Sequence, residues 1–352
     1  MSKPKVIVVP YTRKISRVFS PADWERLHSI ADVVWGRDDP IPLAEFEAAL
    51  PEAVAIVHGE WMYGGAETLR KAPKLRAILE VMGAHSHPGF DHEYCFDHRI
   101  RVLSCAPAFA LQVAEMALGL ALAAARDIAL GDRLFRANRE QYSSAGNAGT
   151  FLLSGKTVGL VGFGSIARQL KSLLAPFNCR LLAYDPWQTA ASLRAQGCEP
   201  VELARLMSEA QVIFVTAVPT IQNKAMLNRD LLERITPGSV LVLISRAHVV
   251  DFEVLTDLVL QGRFKAAIDV FPEEPAPPDL PIRQAEQAIL SAHRAGSVQE
   301  GLLEIGRMVV DDLEAILAGL PPQRMALAQP ELVNRLDPAG ERVSASYRSR
   351  EK

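Results

Sequence analysis

Short apolar runs alternate with helical stretches along the first hundred residues of the chain. The helical stretches Pro21 to Ile30 and Ala66 to Lys71 predict helices, and the first has Pro near its start. The apolar runs predict five strands: Val6 to Val9, Val33 to Trp35, Ala53 to Val57, Ala77 to Val81 and Val102 to Ser104. Strands that alternate with helices are typical of a parallel α/β layer.

A long run of helix formers follows this part of the chain. Ala108 to Ile128 predicts one helix, and the polar, Gly-rich stretch Gly131 to Thr150 predicts a loop or arm. The most apolar part, Val113 to Ala125, falls short of the roughly twenty apolar residues that a membrane span requires.

The second half of the chain repeats the strand and helix pattern. The residues from Ile166 to Leu174 and from Met308 to Leu317 have the apolar spacing of helices. The predicted strands are Thr157 to Val161, Arg180 to Tyr184, Val212 to Ala217, Val240 to Ile244, Ala266 to Val270 and Ala288 to Leu290. Short crossovers between such strands indicate a doubly wound sheet. From about Leu336 to Lys352 the chain has little apolar content, which predicts a solvated tail.

Length and charge narrow the class of protein. A chain of 352 residues favours two domains, and a net charge of −3 gives no support to a nucleic-acid or anionic-membrane partner. Its cysteines form no C-x-x-C pair, so we expect reduced thiols and a cytoplasmic protein; they are Cys95, Cys105, Cys179 and Cys198. The apolar run in MSKPKVIVVP is too short for a signal peptide.

The stretch VGLVGFGSIARQ, Val158 to Gln169, has the pattern of a dinucleotide-binding turn. Gly162 allows a tight turn, Gly164 allows backbone to approach a pyrophosphate, and Ala167 allows close packing of helix on strand. We expect the amides of Ser165 and Ile166, at the helix start, to face the phosphates.

An acidic residue after the next predicted strand completes this pattern. Asp185 stands about twenty residues beyond the glycines, where its carboxylate can accept hydrogen bonds from the adenosine ribose. A carboxylate there repels a 2′-phosphate, and neither Pro186 nor Trp187 is basic. The sequence therefore predicts NAD as cofactor in preference to NADP.

Three further strings each follow a predicted strand, at the edge where doubly wound sheets bind ligands. They are LISRAHVVD from Leu243, AAIDVFPEEP from Ala266 and LSAHRAG from Leu290. With these strings in order after the glycine turn, the chain resembles the D-isomer-specific 2-hydroxyacid dehydrogenase family from about Lys5 to Ala318. That family includes phosphoglycerate, hydroxypyruvate, glyoxylate and D-lactate dehydrogenases.

The resemblance implies an α/β fold of two Rossmann-like domains, each a doubly wound parallel sheet, with a cleft between them. The smaller, substrate-binding domain would comprise residues 1–106 and 297–335, the NAD-binding domain residues 107–296, and the tail residues 336–352. It also implies hydride transfer between NAD(H) and a small D-2-hydroxy or 2-oxo acid, and a homodimer.

The resemblance also assigns roles to single residues. It makes Arg246 the substrate-binding arginine, Glu274 the carboxylate partner and His293 the catalytic acid/base. It places the predicted cofactor contacts beyond the turn at Pro219, Ser245, Asp269 and Gly296, with Asp269 at the nicotinamide carboxamide. Chemistry supports the catalytic roles, because histidine exchanges protons near neutrality and the arginine fork matches a carboxylate.

The first domain should bind the substrate carboxylate through backbone amides of a Gly-rich loop. In this chain the loop reads GAHSHPGFD, Gly83 to Asp91, and we expect contacts from Gly83, Ala84 and His85. The same region, with His92, Cys95 and His98, has residue types that bind metals but lacks paired zinc spacing, so we predict no metal.

Other functions share parts of this pattern. Some transcriptional corepressors resemble the family and bind NAD with little turnover, which makes a regulatory NAD-binding protein the alternative. Formate dehydrogenases place Gln where Glu274 stands, so Glu274 argues against formate oxidation, whereas phosphite oxidation is harder to exclude. The string HGEWMYGG, His58 to Gly65, offers Trp61 and Tyr63 but no Lys or Arg, which favours an unphosphorylated or apolar-tailed acid.

Overall fold

The computed structural model describes residues 2–61, 63–83 and 90–336. The chain divides into two compact units. The first unit consists of the described residues of Met1–Ala110 and Gly296–Glu341, and the second consists of Leu111–Ala295.

Strands and helices alternate through both units. The strands are β1 Lys5–Val9, β2 Asp32–Trp35, β3 Ala53–His58, β4 Ala77–Glu80, β5 Arg101–Ser104, β6 Thr157–Val161, β7 Arg180–Tyr184, β8 Glu199–Pro200, β9 Val212–Val215, β10 Val240–Leu243, β11 Lys265–Ile268, β12 Ile289–Leu290 and β13 Ala326–Leu327. The helices are α1 Ile15–Val18, α2 Pro21–Ile30, α3 Leu43–Ala49, α4 Ala66–Leu69, α5 His92–Asp97, α6 Ala106–Ala125, α7 Ile128–Arg136, α8 Ser165–Leu174, α9 Ala190–Ala195, α10 Leu203–Glu209, α11 Arg229–Leu232, α12 Phe252–Leu260, α13 Gln299–Leu317 and α14 Pro330–Val333. Short 3-10 turns include Ala247–Val249 and Pro281–Gln284.

The first unit is built on a six-stranded sheet with the order β13-β5-β4-β3-β1-β2. The strands β1 to β5 pair in parallel, and β13 pairs with β5 in the antiparallel direction. Apolar clusters cover both faces of this sheet, because buried parallel strands are apolar on both sides. The winding direction reverses between β1 and β3, which makes the loops after these two strands a switch point where such sheets bind ligands.

The second unit is built on a seven-stranded parallel sheet with the order β12-β11-β10-β9-β6-β7-β8. The winding direction reverses between β6 and β9, so the glycine turn after β6 stands at the switch point of this sheet. Apolar residues of β9, β10 and β11 pack with those of α10 and α12 in one buried cluster.

These two sheets confirm the predicted α/β fold with Rossmann-like doubly wound domains. The strands β6 and β7 and the helix α2 have the predicted bounds. The prediction of a loop over Gly131 to Thr150 is wrong at its start, since α7 extends to Arg136. The last long helix, α13, begins at Gln299 rather than Met308, because its first turns also bury apolar side chains such as Leu302 and Ile305.

Helix α6 ends at Ala125, whereas the sequence predicted one helix from Ala108 to Ile128; Asp127, with a φ of +52°, separates it from α7. Helix α6 has 20 residues and a mean hydropathy of 1.7, so its length and composition alone would allow it to cross a membrane. Half of that stretch is buried inside the protein, and core helices pass the same test. The chain passes from the first unit to the second within this helix, between Ala110 and Leu111.

Candidate active site

The turn between β6 and α8 has the form that a phosphate-binding turn requires. Gly162 has a φ of +88°, and a Cβ on this residue would lie 2.7 Å from the backbone of Ala217. A Cβ on Gly164 would meet nothing within 4 Å, so the turn leaves open space in front of the helix. No side chain of the described residues caps α8, which leaves the amides of its first turn available to a ligand.

Asp185 follows β7 and holds the glycine turn in place. Its Oδ2 accepts a hydrogen bond from the Phe163 amide at 2.7 Å, and its Oδ1 accepts one from the Trp187 amide at 2.8 Å. Each carboxylate oxygen can accept a further hydrogen bond, so both remain able to bind ribose hydroxyls. The predicted ribose contact is therefore compatible with a second, structural role that the sequence did not indicate.

The predicted catalytic residues extend from one edge of the second unit's sheet. The strands β10, β11 and β12 are neighbours, with Leu243 beside Ile268 and Ile268 beside Leu290. Arg246, Asp269 and His293 follow these strands within three residues of their last positions. The register thus brings them to the same edge, as the sequence predicted.

His293 and Glu274 form a hydrogen-bonded pair. The Nδ1 of His293 lies 2.6 Å from the Oε2 of Glu274, and the other oxygen of Glu274 accepts a bond from the Phe271 amide at 3.0 Å. A carboxylate accepts only, so Nδ1 carries the proton in this bond and Nε2 is left for other chemistry. The Glu274 side chain is 8% exposed and that of His293 is 28% exposed, so the carboxylate is shielded while the imidazole is accessible.

Asp269 fixes the loop that carries His293. It is fully buried, and its two oxygens accept hydrogen bonds from the amides of Arg294 at 3.0 Å and Ala295 at 3.1 Å. Its carbonyl also accepts a bond from the His293 amide at 2.7 Å. These bonds support His293 in a left-handed conformation with a φ of +50°, which is unusual for a residue other than glycine.

Arg246 is half-buried and incompletely bonded. One terminal nitrogen donates to the Ser245 carbonyl at 2.8 Å, while its Nε is buried and has no partner among the described residues. The hydroxyls of Ser245 and Ser291, at the same edge, are likewise buried without a partner in the described part of the chain. Sequence reasoning did not single out Ser291, because a serine after a strand carries no signal of its own. Buried donors without partners are costly and are expected where a ligand supplies the acceptor.

His248 is half-buried, and its Nε2 lies 3.1 Å from the Thr220 carbonyl. This contact links the loop after β9 to the turn after Arg246. Pro219 lies in that loop after β9, whereas Gly296 is the first residue of the other part of the first unit. Their predicted cofactor contacts stay predictions.

Of the predicted substrate loop in the first unit, only its ends are described. Gly83 follows β4 closely, and a Cβ there would lie 3.2 Å from the ring of Phe109, so a side chain at this position would require the ring to shift by a few tenths of an ångström. Ala84 and His85 lie outside the described residues. Among residues 2–61, 63–83 and 90–336, no group of three or more His, Cys, Asp or Glu side chains is placed to hold a metal ion.

Trp61 and Tyr63 are core residues rather than an exposed apolar surface. Each is 5% exposed, and the ring of Tyr63 stacks on Phe46 with the centroids 3.9 Å apart. The indole of Trp61 donates to the Gly64 carbonyl at 2.7 Å. These rings give no support to an apolar-tailed substrate, because they are buried against other side chains of the core.

Comparison with known proteins identifies the family. The family model described as "D-isomer specific 2-hydroxyacid dehydrogenase, NAD binding domain" matches residues 118–295, which is half of the chain. The chain belongs to this family. The matched part is its NAD-binding domain, and it contains the glycine turn, Asp185, Arg246, Glu274 and His293.

The relatives carry names from the same family. "D-3-phosphoglycerate dehydrogenase" of Mycobacterium leprae (strain TN) is 31% identical over 276 residues, which cover 77% of this chain and 51% of the relative. "Glyoxylate reductase" of Korarchaeum cryptofilum (strain OPF8) is 29% identical over 262 residues, covering 73% and 78%. The crystal structure of a phosphoglycerate oxidoreductase from Rhizobium etli has a TM-score of 0.84 and 35% identity, covering 94% of this chain and 100% of that one. The chain spans about half the length of the phosphoglycerate dehydrogenases that it matches.

Proposed function

We propose that this protein is an NAD-dependent oxidoreductase that interconverts 2-oxo acids and D-2-hydroxy acids. The observation that carries the proposal is the bond of 2.6 Å between His293 Nδ1 and Glu274 Oε2, at the sheet edge that also holds Arg246. An acidic partner on one ring nitrogen and an accessible second nitrogen are what a general acid/base histidine needs.

His293 would deliver the proton of the reaction. In the direction of reduction, the proton on Nε2 passes to the carbonyl oxygen at C2 of the substrate as the carbon–oxygen double bond becomes a single bond. The transfer lowers the charge of the imidazole by one, and the hydrogen bond from Nδ1 to Glu274 keeps the ring in the same orientation. In oxidation, Nε2 takes the hydroxyl proton back.

Arg246 would orient the substrate. Its Nε is buried and no described residue accepts from it, so a ligand oxygen placed there removes the cost of leaving this donor unbonded. A guanidinium matches a carboxylate through two parallel bonds and can polarise the adjacent carbonyl. The hydroxyls of Ser245 and Ser291, also without partners, could bind the cofactor or the substrate at the same edge.

The residues at the switch point fit a dinucleotide. The open space at Gly164 and the free amides of Ser165 and Ile166 would receive the pyrophosphate, and Asp185 would bind the ribose. When bound, the nicotinamide of the cofactor supplies or accepts the hydride at C2. A carboxylate at position 185 disfavours a 2′-phosphate, which supports NAD over NADP.

Turnover with a panel of 2-oxo acids tests this function. The purified protein is mixed with NADH or NADPH, and absorbance is followed with glyoxylate, hydroxypyruvate, pyruvate, 2-oxoglutarate and phosphohydroxypyruvate. Rapid loss of NADH with at least one acid is expected. Tight NADH binding without turnover on any of them would favour a regulatory NAD-binding protein instead.

The proposal includes a homodimer, in which two copies of the chain pair through their second units. Helix α7 buries none of its residues, and large apolar side chains are exposed on α6, on α7 and in the segment after them; they are Leu111, Ile128, Phe135 and Leu152. These exposed apolar side chains lie on consecutive segments of the second unit and support an interface with another protein chain. A second copy is the natural occupant, because the resemblance to the family implies dimers.

A further inference from the structure

The loop after β9 begins against the glycine turn of the second unit. The hydroxyl of Thr216, the residue that follows β9, donates to the carbonyl of Gly162 at 2.8 Å. A Cβ on Gly162 would lie 2.7 Å from the backbone of Ala217, so the two segments are in close contact. Since the winding of this sheet reverses between β6 and β9, the loop flanks the position where such a sheet binds its ligand.

Asn223 folds this loop on itself. Its side-chain oxygen accepts a hydrogen bond from the Thr220 amide at 2.8 Å, and its side-chain nitrogen donates to the Val218 carbonyl at 2.8 Å. Val218 is 47% exposed and Ile221 is 62% exposed, so a loop that starts at the glycine turn presents apolar side chains to solvent. Exposed apolar side chains in a ligand-binding crevice are typical of surface that a ligand covers.

His248 joins this loop to the turn that follows Arg246. Its Nε2 lies 3.1 Å from the Thr220 carbonyl, which also accepts a bond from the Asn223 amide at 3.3 Å. A carbonyl only accepts hydrogen bonds, so Nε2 of His248 carries a proton and donates it. Thr220 is 5% exposed, and a buried carbonyl that loses a donor costs free energy unless the loop moves. The imidazole therefore holds the loop in one position.

The turn that carries Arg246 has backbone bonds of its own. The amide of Ala225 donates to the His248 carbonyl at 2.8 Å, and the amide of Leu227 donates to the Val249 carbonyl at 3.0 Å. These bonds remain when the side chain of residue 248 is changed. Removal of the imidazole should therefore release the part of the loop around Thr220 and leave Arg246 in place.

We propose that His248 is a positioning residue for cofactor binding, and that its bond to Thr220 holds the loop after β9 in the conformation that contacts bound NAD(H). A loop that is already ordered loses less conformational entropy when a ligand binds to it. The bond thus strengthens cofactor binding without taking part in hydride or proton transfer. This inference rests on the proposed function and adds a residue to its cofactor site.

Two amide variants of different length test the inference. In His248→Gln the side-chain nitrogen can take the place of Nε2, whereas the shorter side chain of His248→Asn cannot reach the Thr220 carbonyl. His248→Asn is expected to raise the Kd for NADH, measured by fluorescence titration, about five- to tenfold, since a bond that orders the loop is lost. His248→Gln should stay within about twofold of the wild-type Kd. At saturating NADH, kcat and the KM for the 2-oxo acid should stay near wild type in both variants, because the Arg246 turn keeps its backbone bonds.

Thr236→Val is the matched control for the loss of a side-chain bond to a carbonyl. The hydroxyl of Thr236 donates to the Ser208 carbonyl at 2.9 Å, before β10 and thus at the opposite edge of the same sheet. This variant should have a lower melting temperature than wild type and an unchanged Kd for NADH. A rise in Kd as large as that of His248→Asn would show that general destabilisation is the cause and would refute the role of His248.

Two other results would overturn the inference: an unchanged Kd for NADH in His248→Asn, or an equal rise in Kd in His248→Gln. If His248→Asn does not fold, His248→Leu is expected to show the same rise, because its side chain donates no hydrogen bond. Failure of the proposed function is separate, because it appears as no turnover with any 2-oxo acid. The Kd for NADH is measured without turnover, so it tests His248 in that case as well.

Discussion

Glu274 and His293 form a hydrogen-bonded pair, Oε2 to Nδ1 at 2.6 Å, in which the carboxylate is shielded and the imidazole is accessible. The two residues come from different loops, one after β11 and one after β12. In this pair Nδ1 of His293 donates its proton to the carboxylate of Glu274. The other nitrogen is the one that can exchange a proton with a substrate.

Loss of the imidazole should remove catalysis and spare cofactor binding. His293→Ala is expected to lower kcat by about 10²- to 10⁴-fold, because proton transfer by a positioned group supplies that factor. The Kd for NADH, measured by fluorescence titration, should stay within about twofold of the wild-type value, a much smaller change than the one expected in kcat. His28→Ala, at an exposed histidine of α2, is the control and should leave both unchanged. Wild-type turnover in His293→Ala would remove this residue from the mechanism.

Asp269 should matter for catalysis through its hold on the His293 loop. Asp269→Asn replaces one acceptor oxygen with an N–H donor that opposes the amide of Arg294 or Ala295, so we expect a loss of about 1–3 kcal/mol in the free energy of unfolding. Misplacement of His293 should also lower kcat, on the order of 10²-fold. Urea unfolding and steady-state kinetics measure the two effects.

The first unit supplies a matched control for that variant. Asp312 is also fully buried, and its carboxylate accepts bonds from the amides of Gln323, Arg324 and Met325. Asp312→Asn should therefore lose similar stability, while kcat stays near that of wild type. A fall in kcat of the same size in both variants would show that the effect of Asp269 is general destabilisation.

Asp185 should set the choice between NAD and NADP. Asp185→Ala removes the acceptor for the ribose and the repulsion of a 2′-phosphate, so KM for NAD should rise about tenfold and discrimination against NADP should shrink. Loss of the bonds to Phe163 and Trp187 should also lower the melting temperature. Asp230→Ala, at an exposed position of α11, is the comparison. An unchanged NAD to NADP ratio would contradict the ribose assignment.

A charge on the exposed face of α7 should dissociate the proposed homodimer. Phe135 is 61% exposed, and Phe135→Asp is expected to shift the mass measured by light scattering from that of two chains to that of one. Leu43, 56% exposed on α3 of the first unit, provides the control Leu43→Asp, which should stay dimeric. A wild-type protein that is monomeric at micromolar concentration would refute the dimer.

Local patterns in the sequence determined the order of strands and helices, the glycine turn and the three side chains proposed to be catalytic. Each of these depends on residues close together in the chain. Val158 to Ala167 has the alternation, the glycines and the helix start that a strand, turn and helix require, and β6 has the bounds the pattern predicts. The same local reasoning was wrong at Gly131 to Arg136 and at the start of α13, where packing extends helices beyond their most obvious apolar spacing.

Only the tertiary structure decided which distant residues share a site and which are used in packing. Asp269 holds the His293 loop because the register of β11 and β12 brings its carboxylate within hydrogen-bond distance of the amides of Arg294 and Ala295. Trp61 and Tyr63 are unavailable because they pack on Phe46. Contacts between residues far apart in the chain depend on strand pairing and burial. Neither can be read from a single short segment of the sequence.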